Sequence, residues 1–97
     1  MNNELVVASI QMYCHGNQEK NLETMEEHLG FINKAFPNIE LVVFPELSVH
    51  GSIGNISDEA EEIPGKLTSV FSKMAKNYGL WLIPGSIYES EKKDVFN

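Results

Sequence analysis

Short apolar runs alternate with longer segments of mixed polarity along this chain. The three runs cover residues 5–12 (LVVASIQM), 39–44 (IELVVF) and 80–83 (LWLI). They contain no Gly or Pro, and continuous apolar runs of this kind are typical of strands buried on both faces of a sheet. The first two runs flank one helical segment with short connections, which predicts a parallel pair of strands joined by a right-handed crossover.

The first helical segment follows a turn at residues 14–16. Asn17 can cap its N-terminus, and apolar residues then recur at steps of three and four along one stripe that faces a core. These apolar positions are Leu22, Met25, Leu29, Ile32 and Phe36. Pro37 is expected to end this helix, because proline lacks an amide hydrogen and restricts the residue before it.

A second helical segment is predicted after Pro64 and Gly65. Its apolar positions are Leu67, Val70, Phe71, Met74, Ala75 and Tyr78. Gly79 is a suitable C-terminal residue, since glycine readily adopts the left-handed conformation in which many helices end. Residues 48–62 precede this helix and predict a long loop, and long loops inside compact domains are often functional.

The C-terminal residues predict a bend and a hairpin. Pro84 and Gly85 bend the chain, residues 86–89 are expected to form a fourth strand, residues 90–94 a turn, and residues 95–97 the start of a returning strand. Two helices cannot cover both faces of three buried strands, so an apolar sheet face is expected to remain open. The pattern therefore indicates part of a larger sheet, which further sequence or a partner completes.

The composition is that of a globular protein with at most one small domain. The chain has 97 residues, of which 42% are hydrophobic and 22% charged, and its formal net charge is −7. It has no basic cluster, so nucleic acid and anionic membrane surfaces are not expected as partners. Part of the acidic excess forms one run, Asp58, Glu59, Glu61 and Glu62, which is interpreted as a solvated loop.

Cysteine usage and the N-terminus bear on location. Cys14 is the single cysteine, which excludes an internal disulfide and fits a reducing compartment. No apolar run approaches the roughly 18 residues that a membrane span needs. The first residues lack the basic region of a signal peptide, because Glu4 directly precedes a short apolar run. The expected location is the cytoplasm, without membrane association.

Glu46 is the first candidate for chemistry, because the second apolar run ends abruptly in Pro45-Glu46. This places a carboxylate at the carboxyl tip of a predicted parallel strand, where ligands bind in open α/β sheets. A glutamate held there beside a long loop can serve as a general base. The alternative is a solvated or cap-forming glutamate with a structural role.

Cysteine and histidine offer weaker candidates. Cys14 and His15 are adjacent, but neighbouring residues in extended chain point to opposite faces, so the two are not expected to pair. Cys14 is interpreted as a small packed side chain. Glu46, His28 and His50 could be imagined as metal ligands, but their spacing matches no standard site, and both histidines are interpreted as surface residues.

Residues 41–51 (LVVFPELSVHG) and five further segments share the pattern of one known family. The further segments, in order, are residues 8–12, 21–23, 62–68, 79–89 and 96–97. Together they resemble the nitrilase, or carbon–nitrogen hydrolase, superfamily, and residues 41–51 are similar to its glutamate motif. No single segment is decisive, whereas the shared order makes the resemblance specific over almost the whole chain.

The resemblance implies an α/β fold, the N-terminal part of a four-layer α-β-β-α sandwich. Residues 1–97 would be an incomplete domain, about its N-terminal third. It further implies hydrolysis of a non-peptide carbon–nitrogen bond by a Glu-Lys-Cys triad. Only the glutamate carries over, to Glu46 as general base, because the family's Lys and nucleophilic Cys lie beyond Asn97. Cys14 does not match the nucleophile position.

The resemblance also sets expectations for ligands and assembly. A small amide or nitrile is the expected substrate, with an amide favoured, and no metal or organic cofactor is expected. His50-Gly51 is loosely similar to the aliphatic amidase and formamidase branch, while carbamoyl-amine and omega-amide substrates remain open. Members of the family commonly form dimers, so a homo-oligomer is expected.

Two interpretations of the chain follow from different functional classes. In the first, it is the N-terminal segment of an active hydrolase, and the 97 residues alone are inactive because two members of the triad are missing. In the second, it is a truncated, non-catalytic module that covers its open sheet by self-association or by binding a partner. The first is favoured, because nothing in the sequence compensates for the missing apolar cover.

Overall fold

The computed structural model describes residues 4–50, 60–91 and 94–96. Its elements in chain order are β1 (Val7–Ser9), α1 (Gln18–Ala35), β2 (Leu41–Val43), α2 (Lys66–Tyr78), β3 (Trp81–Ile83), β4 (Glu89–Glu91) and β5 (Asp94–Phe96). Each of the first three strands lies inside the apolar run that predicts it and is shorter than that run. The chain is therefore a mixed α/β fold, in agreement with the sequence prediction.

β1, β2 and β3 form one parallel sheet with β2 in the centre. Val7 is in register with Leu41, and Leu41 with Trp81. Pairing continues beyond the strands, since the Phe44 amide donates a hydrogen bond to the Ile83 carbonyl at 2.9 Å. The predicted parallel pair is confirmed, and the carboxyl ends of all three strands meet at one edge of the sheet.

β4 and β5 form a separate antiparallel hairpin. The fourth strand predicted at residues 86–89 is misplaced, because regular pairing begins only at Glu89. The Glu61 amide donates to the Tyr88 carbonyl at 3.1 Å, and the Ser90 amide donates to the Glu61 carbonyl at 2.8 Å. These two bonds tie the hairpin to the segment that precedes α2. Residues 92, 93 and 97 of the predicted turn and returning strand lie outside the described residues.

α1 begins and ends where the sequence predicts. The Asn17 side chain accepts a hydrogen bond from the Lys20 amide at 3.1 Å, which confirms the N-cap. The buried residues of the helix are Asn21, Met25, Leu29 and Ile32. The prediction that Phe36 belongs to this stripe is wrong, since its side chain is 56% exposed. The cause is local, because the Phe36 backbone has already left the helical conformation at φ −135°.

Glu61 and Thr68 satisfy backbone amides at the start of α2. Glu61 Oε1 accepts a hydrogen bond from the Leu67 amide, and Thr68 Oγ1 accepts one from the Gly65 amide, each at 2.6 Å. Glu61 therefore caps a helix, so its interpretation as part of a solvated acidic loop is wrong. Asp58 and Glu59 lie outside the described residues. Gly79 ends α2 in the predicted left-handed conformation, with φ 62°.

The two sides of the parallel sheet differ in cover. On the covered face, Ala8, Val42 and Leu82 pack against apolar residues of α1 and α2. The apolar residues of the opposite side, the open face, are Leu5, Val7, Leu41, Val43, Trp81 and Ile83. Trp81 is 77% exposed and Ile83 50% exposed. The prediction of strands buried on both faces is wrong for this side, and the expectation of an open apolar face is confirmed.

α1 and α2 lie side by side over the covered face and are joined at their outer surface. Tyr78 Oη donates a hydrogen bond to Glu26 Oε1 at 2.8 Å. This bond, with a smaller contribution from burial and from the Glu26 charge, raises the pKa of Tyr78 above its ordinary value. Within the described residues, neither helix combines the length and the apolar character that a bilayer span requires.

Candidate active site

Glu46 lies on a turn at the carboxyl end of β2. The turn covers residues 46–50 and follows Phe44 and Pro45, which come directly after the strand. The Glu46 side chain is exposed, whereas Ser48, Val49 and His50 have no exposed surface. The Glu46 carboxylate therefore projects at the sheet edge from a turn whose last three residues are buried.

The backbone of this turn adopts an uncommon conformation next to Glu46. Leu47 has φ 54°, in the left-handed region that non-glycine residues seldom occupy. Two hydrogen bonds brace the turn, from the Ser48 amide to the Pro45 carbonyl at 3.2 Å and from the His50 amide to the Leu47 carbonyl at 3.0 Å. Such a conformation persists only when the surrounding structure holds it, and it is often found at functional sites.

The bend after β3 holds the middle of the turn. Ser48 Oγ donates a hydrogen bond to the Pro84 carbonyl at 3.0 Å. Gly85 has φ 88°, and a Cβ atom at this position would overlap the Pro45 carbonyl oxygen. Only glycine combines this backbone conformation with such a close approach. The ends of β2 and β3 are therefore packed directly against each other around Glu46.

Asn21 of α1 holds the far end of the turn. Its side chain has no exposed surface, and Nδ2 donates hydrogen bonds to the Val49 carbonyl at 2.9 Å and the His15 carbonyl at 2.8 Å. Oδ1 accepts a hydrogen bond from the His15 amide at 2.6 Å. Sequence reasoning missed this role, although Asn21 lies four residues before Met25 and so continues the buried stripe with a polar side chain.

His50 is buried, so its interpretation as a surface histidine is wrong. Nε2 accepts a hydrogen bond from the Tyr88 amide at 3.1 Å, and the two rings lie 4.7 Å apart between centroids at 34°. An accepting Nε2 requires the neutral imidazole with its proton on Nδ1. His28 is half-buried on α1. Within the described ranges, no group of three His, Cys, Asp or Glu side chains is arranged to hold a metal ion.

Cys14 and His15 make different contacts. Its side chain is half-buried, and Sγ faces the Met12 carbonyl at 3.8 Å. The His15 ring instead makes an edge contact with Tyr13, with centroids 4.8 Å apart. These separate contacts agree with the expectation that Cys14 and His15 do not act as a pair.

A cleft lies between the segment before α2 and the β4–β5 hairpin. It has a volume of about 440 Å³ and is lined by Glu62, Ile63, Glu89, Ser90 and Glu91. Three of the five lining residues are acidic, so the cleft does not suit an anionic ligand. Glu46 is not among its residues, and the candidate active site is therefore the sheet edge.

Two curated relatives that the chain resembles are amidases. It is 40% identical over 60 residues to the omega-amidase NIT2 of Danio rerio, covering 60% of this chain and 21% of that protein. It is 29% identical over 84 residues to the 2-oxoglutaramate amidase of Bacillus subtilis (strain 168), covering 86% of this chain and 31% of that protein. The chain thus spans about a fifth to a third of the length of these relatives.

The match at the level of the family covers nearly all of the chain. The sequence profile described as carbon-nitrogen hydrolase matches residues 6–97. This range includes the three parallel strands, both helices and the turn that carries Glu46. The chain belongs to the carbon–nitrogen hydrolase family, within the nitrilase superfamily.

Proposed function

We propose that this chain is the N-terminal part of an amidase and supplies its general base, Glu46. The observation that carries the proposal is the arrangement of residues 46–50, in which an exposed carboxylate stands on three fully buried residues. A general base needs a fixed position within hydrogen-bond reach of the proton that it removes. Hydrogen bonds from α1 and to the bend after β3 supply such a position.

The proposed reaction follows the Glu-Lys-Cys triad of the family. Glu46 takes the proton of a cysteine thiol as the sulfur attacks the amide carbon, and a lysine stabilises the negative charge that develops on oxygen. Glu46 then returns the proton to the leaving nitrogen, which departs as ammonia or an amine. A water molecule, deprotonated by Glu46, next attacks the thioester and releases the acid, and the thiol regains its proton. The lysine and the cysteine would come from sequence beyond Asn97.

The open face favours this proposal over a chain that acts alone. Exposed Trp81 and Ile83 lie on β3, whose carboxyl end adjoins the turn that carries Glu46. A second sheet packed on the open face would complete the four-layer α-β-β-α sandwich and could bring the other triad members to the same edge. The expected homo-oligomer would then be an association of complete sandwiches.

The proposed substrate is a small amide. Both curated relatives are named as amidases, one of 2-oxoglutaramate and the other an omega-amidase. By analogy, we propose the terminal amide of a short dicarboxylic acid as the first substrate to test. The cleft before α2 is lined by three glutamates and does not suit the free carboxylate of such a substrate.

Replacement of Glu46 tests the general-base role in the longer polypeptide that carries this chain. We expect Glu46→Gln to keep the fold and to lower amide turnover at least about a hundredfold, because the glutamine cannot accept the thiol proton. Ammonia release would be measured under saturating substrate. The matched control is Glu23→Gln on α1, an exposed glutamate that should leave turnover unchanged. Near-normal turnover in Glu46→Gln would refute the assignment.

The 97-residue chain by itself is expected to be inactive, because it carries one member of the triad. Purified chain would be incubated with the same amide and assayed for ammonia. Turnover that Cys14→Ala abolishes would overturn the triad assignment, since Cys14 does not match the position of the nucleophile in the family's pattern.

The second candidate function is a non-catalytic module that buries the open face against a copy of itself or a partner. The exposed apolar residues of that face are the observation that favours it, because exposed apolar patches mark interfaces. The intact mass of the gene product in its source cells separates the two. A mass near 10.9 kDa would support the module, and a much larger mass would support the amidase.

A further inference from the structure

The buried carboxamide of Asn21 joins three segments of the protein. It bonds the backbone of His15 in the loop before α1 and the Val49 carbonyl in the turn that carries Glu46, while its own backbone is part of α1. Both Nδ2 hydrogens and one Oδ1 lone pair are used. A fully buried polar side chain with three such bonds on an otherwise apolar helix face fixes these segments relative to one another.

Only a carboxamide satisfies these three contacts. The Val49 and His15 carbonyls both require a donor, and the His15 amide requires an acceptor at the same side chain. Aspartate has the same shape but would place a second oxygen against the two carbonyls. Alanine would leave three backbone groups without this partner, of which the Val49 carbonyl lies in a buried contact. The position is therefore sensitive to chemistry as well as to size.

The contact lies close to Glu46 along the turn. Val49 is three residues after Glu46, and left-handed Leu47 lies between them. A strained turn keeps its conformation only while the structure around it holds both ends. Asn21 holds the far end through Val49, and the Ser48 hydroxyl holds the middle. Release of the far end lets the turn relax and moves the point from which the Glu46 side chain projects.

We infer that Asn21 is a positioning residue for Glu46, which acts through the Val49 carbonyl. This inference rests on the proposed function of Glu46 as general base. A displacement of about 1 Å in a catalytic group can lower the rate of reaction by about a hundredfold. Asn21 itself does not reach the substrate, because its side chain is buried among the backbone groups that it bonds.

The test uses the longer polypeptide with Asn21→Ala and the isosteric Asn21→Asp. The matched control is Ile32→Ala, a buried residue on the same stripe of α1, eleven positions or about 16 Å along the helix. We expect both Asn21 variants to lower kcat about ten- to a hundredfold, with KM changed less than about threefold. Ile32→Ala should destabilise the fold and yet keep kcat per folded molecule. It therefore shows how much of any loss of kcat comes from lower stability alone. If Asn21→Ala does not fold, Asn21→Asp carries the test.

A double variant shows whether Asn21 acts through Glu46. Residues that act as one unit have non-additive effects, so Asn21→Asp added to Glu46→Gln should not lower the residual kcat further. A multiplicative loss in the double variant, or normal kcat in both folded Asn21 variants, would overturn the inference.

Hydrogen exchange tests the contact without any assay of activity. In Asn21→Asp, the Ser48 and His50 amides should exchange at least about tenfold faster than in Ile32→Ala, because the turn opens more often. Equal exchange in the two variants would overturn the inference even if the Glu46 assignment stands. Normal turnover in Glu46→Gln would instead refute the proposed function, and exchange would still decide whether Asn21 holds the turn.

Discussion

The turn that carries Glu46 and the open face differ in how far this chain completes them. Around the turn, contacts come from α1, from the bend after β3 and from Tyr88, all within the described residues. On the open face, by contrast, Trp81 and Ile83 project from the same sheet with 77% and 50% of their surface exposed. The turn is held on several sides by the described residues, whereas the described residues leave the open face uncovered.

The difference shows that the backbone under Glu46 can be held in place while the surface beside it is still uncovered. The turn that carries Glu46 and the Pro45 before it contact residues within about forty positions in sequence, such as Asn21 and Gly85. In the proposed function, cover for the open face and the other two triad members come from further sequence. Substitutions in the two regions should therefore respond differently to the presence of the rest of the polypeptide.

The largest expected effect is at the contact between the two strand ends. Gly85→Ala should lower the free energy of unfolding by about 4 kcal/mol. A side chain at positive φ costs about 1 kcal/mol, and overlap with the Pro45 carbonyl oxygen adds about 3 kcal/mol. The measurement is urea denaturation of the longer polypeptide, with amide turnover recorded in parallel.

Gly79→Ala is the matched control for this substitution. Gly79 also has positive φ, but a Cβ atom there would have no heavy atom within 4 Å apart from its immediate surroundings in the chain. The expected loss is about 1 kcal/mol, from the backbone conformation alone. Equal losses at the two glycines would contradict the expectation that a Cβ atom at Gly85 overlaps the Pro45 carbonyl oxygen.

The next largest effects are on the free energy of unfolding when a side chain is removed from either face of β3. Leu82 packs on the covered face and Trp81 projects from the open face. Leu82→Ala should cost about 2 kcal/mol in any folded form of the protein, because it removes core contacts. Trp81→Ala should cost about 3 kcal/mol where the open face is covered, and less than about 0.5 kcal/mol where it is exposed.

Denaturation of both variants in the longer polypeptide checks this expectation. A small effect of Trp81→Ala there would mean that the open face stays exposed in the longer protein, and the four-layer sandwich would have to be abandoned. A large effect of Trp81→Ala in the 97-residue chain would instead indicate that copies of the chain cover the face for one another.

The smallest expected effect lies on the outer surface of the helices, remote from both regions. Tyr78→Phe removes the hydrogen bond to Glu26 and should cost less than about 1 kcal/mol, because the pair is close to solvent. The raised pKa of Tyr78 means that the folded state holds the phenol proton more tightly than the unfolded state. This contribution is present below the unfolded pKa and is lost as the pH rises through the folded value, above about 10.

Unfolding would be compared for wild type and Tyr78→Phe between neutral and alkaline pH. The difference in free energy of unfolding between the two proteins should shrink above pH ~10. A difference that is independent of pH would show that the Tyr78–Glu26 bond does not contribute through the phenol proton.

The sequence predicts those features that depend on neighbouring residues. Asn17 and Gly79 act as helix caps, and the apolar run before Glu46 becomes the central strand, because each signal is local. Asn21 was missed, since an asparagine at this spacing can equally lie at the edge of a stripe. The burial of His50 was missed for a different reason, because its partner Tyr88 is 38 residues away and joins it only in the folded structure.

The error about the burial of the strands arises because the helices cover one face of the sheet and not the other. Continuous apolar runs predict burial on both faces, but the described residues contain two helices, which lie on one face. The role of Glu46 as general base remains a prediction from the resemblance, while its place at the end of β2 is observed. Phe36 shows the limit of periodicity, because one residue beyond the helix end the stripe no longer continues.

Trp81 has a practical consequence as an optical reporter. It is the single tryptophan of the chain, and its indole lies on the open face. Indole emission moves to shorter wavelength when water around the ring is replaced by apolar side chains. The emission wavelength of an unlabelled sample therefore reports whether Trp81 is exposed to water or covered by other side chains. This holds for any length of the polypeptide that contains no second tryptophan.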